Sequence, residues 1–173
     1  MAKLILMRHA KSSWAQPALS DHNRPLNPRG REAANKMAAA LMARDLRPQA
    51  IICSTAVRTR KTLVPLLNLM KGTVSLTFSS ELYSASAHDY MQMVAHHGKD
   101  LKPDDILMFI GHNFAIQDAA LQMAVKSQTP AYQNLKEKFP SGAIAVLELA
   151  NGFSSCGPNS AVLKDFLRPR DDL

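Results

Sequence analysis

Three short apolar runs limit what this chain can fold into: Leu4-Ile5-Leu6, Ala50-Ile51-Ile52-Cys53 and residues 106–110. Each is too short for a buried helix, and none alternates apolar with polar as a half-wet strand does. They read as strands buried on both faces. Helical signals separate them. Asn27-Pro28 offers an N-cap and a first-turn proline for a helix over residues 30–46, where Ala33, Met37 and Leu41 fall four apart. Ser54-Thr55 caps a second helix, from Ala56 towards Met70, that Pro65 should kink or break. Residues 74–78 alternate as a strand, and Ser86 precedes an amphipathic helix over 87–97. Asn113 is placed to cap a helix over 114–125. Residues 143–149 and 161–166 read as two strands of a hairpin, joined by the Gly- and Ser-rich turn 151–160. Alternating strands and helices imply a mostly parallel central sheet with helices on both faces. The expected fold is therefore an α/β three-layer sandwich with a C-terminal antiparallel hairpin, forming a single domain over residues 1–173.

The ends of these strands carry the chemistry. The first run leads into Met7-Arg8-His9-Ala10. The second leads into a helix whose first turn holds Arg58, and the third leads into Gly111-His112-Asn113. In a parallel sheet the carboxyl ends share one edge, and ligands bind there. Two arginines, two histidines and two helix N-termini thus converge on one place suited to a dianion, and phosphate is the natural choice. A guanidinium grips anionic oxygens in a planar fork, and a neutral imidazole is a competent nucleophile. The long polar loop over residues 10–28 is placed to contribute.

Bulk properties agree. A formal net charge of +7 and a pI near 9.7 favour anionic partners. The basic residues are scattered and not interleaved with aromatics, which argues against nucleic acid. No apolar run approaches the roughly 20 residues that span a bilayer. The apolar stretch near the start is too short for a signal peptide. Two cysteines give no disulfide framework, so a cytoplasmic setting is expected, with Cys53 in the core. No His, Cys or carboxylate cluster has metal-ligand spacing, and neither a metal nor another cofactor is expected. His22, His88, His96 and His97 read as surface residues.

The motifs resemble those of the histidine phosphatase, or phosphoglycerate-mutase-like, superfamily. Arg8-His9-Ala10 stands where that family has Arg-His-Gly. Ser54, Arg58 and Thr62 match its Ser-x-x-x-Arg-x-x-x-Thr helix start, and Gly111-His112-Asn113 is similar to its second histidine motif. The segment from Asp21 to Gly30 contains Arg24-Pro25-Leu26 and resembles the small phosphohistidine phosphatases of the SixA type. The resemblance implies His9 as nucleophile and Arg8, Arg58 and His112 as catalytic groups that hold the phosphoryl oxygens. Arg24 and Ser12 would add phosphate contacts from the loop. Glu81 stands where the family's general acid often lies, with Asp21 as a second candidate; a phosphohistidine substrate needs an acid least. Ala10 replaces the usual glycine, and Ala15 stands where larger members carry an asparagine.

The function implied is a metal-independent phosphatase working through a phosphohistidine intermediate. Its partner would be a phosphorylated protein, such as a histidine-phosphotransfer domain, or a small phosphomonoester. A non-catalytic phosphoprotein-binding module is the alternative, although it would have no use for His9. A phosphosugar mutase is a weaker one, because the chain lacks long insertions to retain a leaving sugar.

Overall fold

The computed structural model describes residues 1–171. Six strands form one sheet: β1 (Ala2–Arg8), β2 (Ala50–Ser54), β3 (Ser75–Ser79), β4 (Ile106–Gly111), β5 (Ile144–Leu149) and β6 (Ala161–Leu167). Their order across the sheet is β3-β2-β4-β1-β5-β6. The first four run parallel, β5 runs antiparallel to β1, and β6 returns antiparallel to β5. The expected hairpin is therefore present and also continues the main sheet.

Five helices cover the two faces: α1 (Pro28–Ala43), α2 (Val57–Leu69), α3 (Ala87–Gly98), α4 (Ala115–Met123) and α5 (Pro130–Glu137). Side chains alternate across the pleat, so each central strand feeds two cores. Ile5, Met7, Ile51, Cys53, Met108 and Ile110 pack against Met37 and Leu41 of α1 and Leu63 and Leu66 of α2. Leu4, Leu6, Ile52, Leu107 and Phe109 face the other way, onto α3, α4 and α5. Because both faces are buried, these strands had to be apolar throughout.

Local chemistry explains most boundaries. The Asn27 side chain accepts from the Gly30 amide and caps α1, with Pro28 in the first turn. That helix ends at Ala43, short of the expected 46, because the chain turns through Asp45 at φ 53° and the Leu46 amide returns to the Leu41 carbonyl. Ser86 and Asp89 form a reciprocal capping box on α3. Of the two expected outcomes at Pro65, a break is absent: α2 runs through it as one helix. Two expectations need correction. Ser54-Thr55 does not cap α2, whose N-cap position is Ala56 with no side-chain cap bond. Asn113 does not cap α4; its amide instead donates to the Gln117 side chain at 3.4 Å. The short helix α5, capped by Thr129, had no sequence assignment.

Two glycines make the site end of the sheet possible. Gly142, at φ 82°, donates its amide to the carbonyls of both Arg8 and His9, and so closes off β1. Gly111 lets the Tyr90 ring lie under the end of β4, where the Tyr90 hydroxyl accepts from the His112 amide at 3.3 Å. A Cβ on residue 111 would lie 1.8 Å from that hydroxyl oxygen. Gly111→Ala is therefore expected to destabilise the fold by about 1–3 kcal/mol. A double variant with Tyr90→Phe should recover part of the loss. Denaturant melts of the four proteins in this cycle check it, and strict additivity would disprove the clash.

Candidate active site

The register of the sheet builds the centre of the site. Arg8 of β1 lies opposite Gly111 of β4, so His9 and His112 both sit one residue past the last pair. The His9 amide continues the ladder by donating to the Gly111 carbonyl at 3.0 Å, and the two imidazole centroids are 5.3 Å apart. Both histidines and Arg58 are buried, the histidines 8% and Arg58 7% exposed.

The second element is the β2–α2 junction. Ser54, Arg58 and Thr62 are spaced by four, so Arg58 and Thr62 share one face of α2, above the end of β2. Each meets a different part of the site. The His112 Nε2 and the Ser54 hydroxyl are 2.7 Å apart. Arg58 Nε donates to His9 Nε2 at 3.3 Å. The Thr62 hydroxyl accepts from the Ala10 amide at 2.9 Å and donates to the Arg58 carbonyl at 2.7 Å. One helix start thus positions both histidines and ties down the loop after β1.

Hydrogen bonds fix the histidine tautomers. His9 Nδ1 is 2.7 Å from the Ala10 carbonyl, which can only accept, so Nδ1 carries the proton. Nε2 then bears the lone pair and points at Arg58. Burial, followed by the nearby Arg58, His112 and Arg8, outweighs the Ala10 bond and lowers the His9 pKa to about 3. The ring is neutral at neutral pH. In His112, Nδ1 faces Arg58 Nη2 at 3.4 Å, and a guanidinium only donates. Its proton therefore sits on Nε2 and points to Ser54. Burial and Arg58 lower its pKa to about 4.

Arg8 donates from Nη1 to the Phe139 carbonyl at 2.8 Å. Its Nε is buried with no partner among the described residues. An unsatisfied buried donor next to the neutral His9 imidazole fits an anion bound there.

The loop over residues 10–28 supplies the mouth. Asp21 is half-exposed, and each of its oxygens is used. Oδ1 accepts from Arg24 Nη1 at 2.7 Å; Oδ2 accepts from Arg58 Nη2 at 3.0 Å and from the Tyr83 hydroxyl at 2.6 Å. Tyr83 first, then Arg24 and Arg58, hold its carboxyl down at about 2 against the opposing effect of burial. Arg24 also reaches the Ser13 carbonyl at 3.0 Å and the Ser12 hydroxyl at 2.5 Å, and stacks on the exposed Trp14 ring. Arg24 and Ser12 thus adjoin the cluster through Asp21, and their contacts organise the loop.

Glu81 is placed elsewhere. It is exposed and lines a cleft of about 830 Å³ between β3 and α3, together with Asp89, Met93, His96 and His97. The short turn Glu81–Tyr83 brings Tyr83, not Glu81, to the site. The Tyr83 ring lies edge-on to His112 at 5.4 Å and to His22 at 5.1 Å. Two histidines read as surface residues are half-buried. His22 pairs with the Thr55 hydroxyl at 3.0 Å, and His97 packs edge-on against Phe109. Cys53 is core, with burial pushing its thiol up to about 12. Sequence reasoning missed Tyr83 because nothing in spacing ties a residue after an edge strand to a loop 62 positions away. Ser54 and Thr62 were visible as motif positions, but not as tethers.

Comparison with known proteins identifies the family and supports the fold. Residues 4–147 match the family model for the histidine phosphatase superfamily, branch 1. An uncharacterised protein of Mycobacterium tuberculosis is 32% identical over 166 residues, spanning 95% of this chain and 100% of that one. The solved structure of a candidate phosphohistidine phosphatase SixA from Nakamurella multipartitia has a TM-score of 0.82 at 25% identity, covering 98% of this chain and 97% of that one. Its counterpart from Agrobacterium tumefaciens has a TM-score of 0.79 at 28% identity, covering 96% and 98%. Arg8, His9, Arg58 and His112 thus lie together in a chain that belongs to branch 1 of the histidine phosphatase superfamily and is a hydrolase of the phosphatase class.

Proposed function

We propose that this chain hydrolyses phosphohistidine on a protein partner, or a small phosphomonoester, through a phosphohistidine formed on His9. The observation that carries this reading is the fixed tautomer of His9. Its Nδ1–H is spent on the Ala10 carbonyl, so the Nε2 lone pair faces Arg58 with no proton to lose first. The likeness to two candidate SixA phosphohistidine phosphatases over nearly the whole chain favours the protein substrate. No observation favours the binding module or the mutase.

In the reaction, Nε2 attacks phosphorus and the bond to the leaving nitrogen or oxygen breaks. That atom takes up a proton from solvent water, and the water that attacks in the second step gives one back to solvent. His9 then carries a positive ring, and its Nδ1–H bond to Ala10 strengthens as the charge develops. Arg8 and Arg58 hold the equatorial oxygens, with His112 beside them. Water attacks the phosphorylated imidazole, releases inorganic phosphate and restores the lone pair. Fixed cations supply the charge stabilisation that phosphoryl transfer requires. An imidazole nitrogen leaves readily, so this substrate needs no carboxylic acid, and Glu81 is left out of the chemistry.

Two outcomes are expected. Rapid quench with a phosphohistidine protein should trap an acid-labile phosphoramidate on His9, and His9→Ala should abolish both label and turnover while remaining folded. A fully active His9→Ala protein would overturn the covalent route. Second, the His9 and His112 rings should stay neutral from pH 8 to pH 5 when followed by NMR; a midpoint near 6.5 would contradict their burial. Because both folded pKa values lie below the unfolded one, the unfolded chain binds more protons between them. Stability should therefore fall as pH drops below about 6.5 towards the folded values.

A further inference from the structure

The donors of Arg58 are almost fully committed before any substrate arrives. Nε–H is given to His9 Nε2 at 3.3 Å. Nη1 donates to the Asp21 backbone carbonyl at 2.7 Å. Nη2 divides between the Asp21 carboxylate at 3.0 Å and His112 at 3.4 Å. The guanidinium that should grip a phosphoryl group already grips Asp21, and its third nitrogen covers the lone pair that should attack.

Asp21 is suited to hold that place. Its side chain is half-exposed, whereas that of Arg58 is 8% exposed, so the carboxylate lies on the solvent side of the cation. Tyr83 and Arg24 clasp it from the other directions. It is charged at any working pH. Arg8 adds its charge beside His9 and His112, and its buried Nε has no partner among the described residues.

We propose that Asp21 is a built-in competitor for the anion seat: the substrate phosphoryl group must displace it from Arg58, and its return helps expel inorganic phosphate after each turnover. This rests on the proposed reading that the cluster binds a phosphoryl group. A dianion draws Arg58 Nη2 and the unpaired Arg8 Nε towards its own oxygens, two charges against one. Arg58 then releases His9 Nε2, and the nucleophile is uncovered by the group that it will attack. Once phosphate has formed, the carboxylate is still held nearby by Arg24 and Tyr83 and re-forms its bond to Arg58.

The test is inorganic phosphate binding, measured by calorimetry at pH 8 on wild type, Asp21→Asn and Glu81→Gln. Losing a competitor held by charge-assisted bonds should tighten phosphate binding by at least about tenfold in Asp21→Asn. Glu81→Gln removes the same charge from the turn that carries Tyr83 and should stay within about twofold of wild type, which separates occupancy of the seat from the general field of the protein. The Arg58 Nε–H resonance gives a readout free of activity. Phosphate should move it in wild type, and in Asp21→Asn it should already lie part of the way towards that position. Weaker phosphate binding in Asp21→Asn would make Asp21 a residue that positions Arg58 and would overturn the proposal. Unchanged binding, or equal tightening in both variants, would overturn it too. Absence of phosphate binding in wild type and Asp21→Asn alike would instead overturn the function proposed above, and this inference with it.

Discussion

The parallel pairing of β1 with β4 is the constraint on which the site depends. Backbone hydrogen bonds set Arg8 against Gly111, and the His9 amide adds one more rung to the same ladder. A slip of one residue would turn His9 onto the opposite face of the sheet and bury its core-facing neighbours in the wrong layer. The apolar residues on both faces of β1 and β4 prevent that slip, because every alternative register exposes or crowds them. The packing of the two cores thus positions the two histidines.

Onto this frame α2 adds a bracket. Ser54, at the end of β2, bonds to His112 in the loop after β4, while Arg58 and Thr62 of α2 bond to the His9 ring and the Ala10 amide just after β1. All three side chains are buried. A buried donor or acceptor left unpaired costs about 1–3 kcal/mol, so these bonds are held by the penalty for breaking them more than by their net strength. The bracket makes the site rigid in the parts that must not move.

The same burial explains the electrostatics. Desolvation disfavours an imidazolium, and the neighbouring arginines disfavour it further. Two neutral imidazoles among fixed cations result. Among the described residues, the carboxylate in contact with the cluster is that of Asp21, on the solvent side of Arg58. The counter-charge and the buried cations therefore belong to different parts of the fold: the loop over residues 10–28 on one side, the sheet edge and the start of α2 on the other.

How much was legible in the sequence depends on the range of the interactions involved. Doubly buried strands need continuous apolar runs, and caps such as Asn27-Pro28 and Ser86-Asp89 act within a few residues, so β1, β2, β4 and the starts of α1 and α3 could be read directly. The meeting of Arg8, His9, Arg58 and His112 followed from topology, since parallel strands share a carboxyl edge. Short elements without a strong pattern, such as α5, and helix ends set by backbone turns, such as that at Asp45, were not legible. Glu81 shows the limit most clearly. Sequence placed it near the chemistry, but the turn after β3 sends Tyr83 inward and Glu81 into the cleft beside α3. Which side chain of a turn faces a site depends on the direction in which the chain leaves the edge strand, and only the packed tertiary structure sets it. The Asp21–Arg58–Tyr83 contact was decided in the same way, by three segments far apart in sequence that meet only once the sheet has assembled.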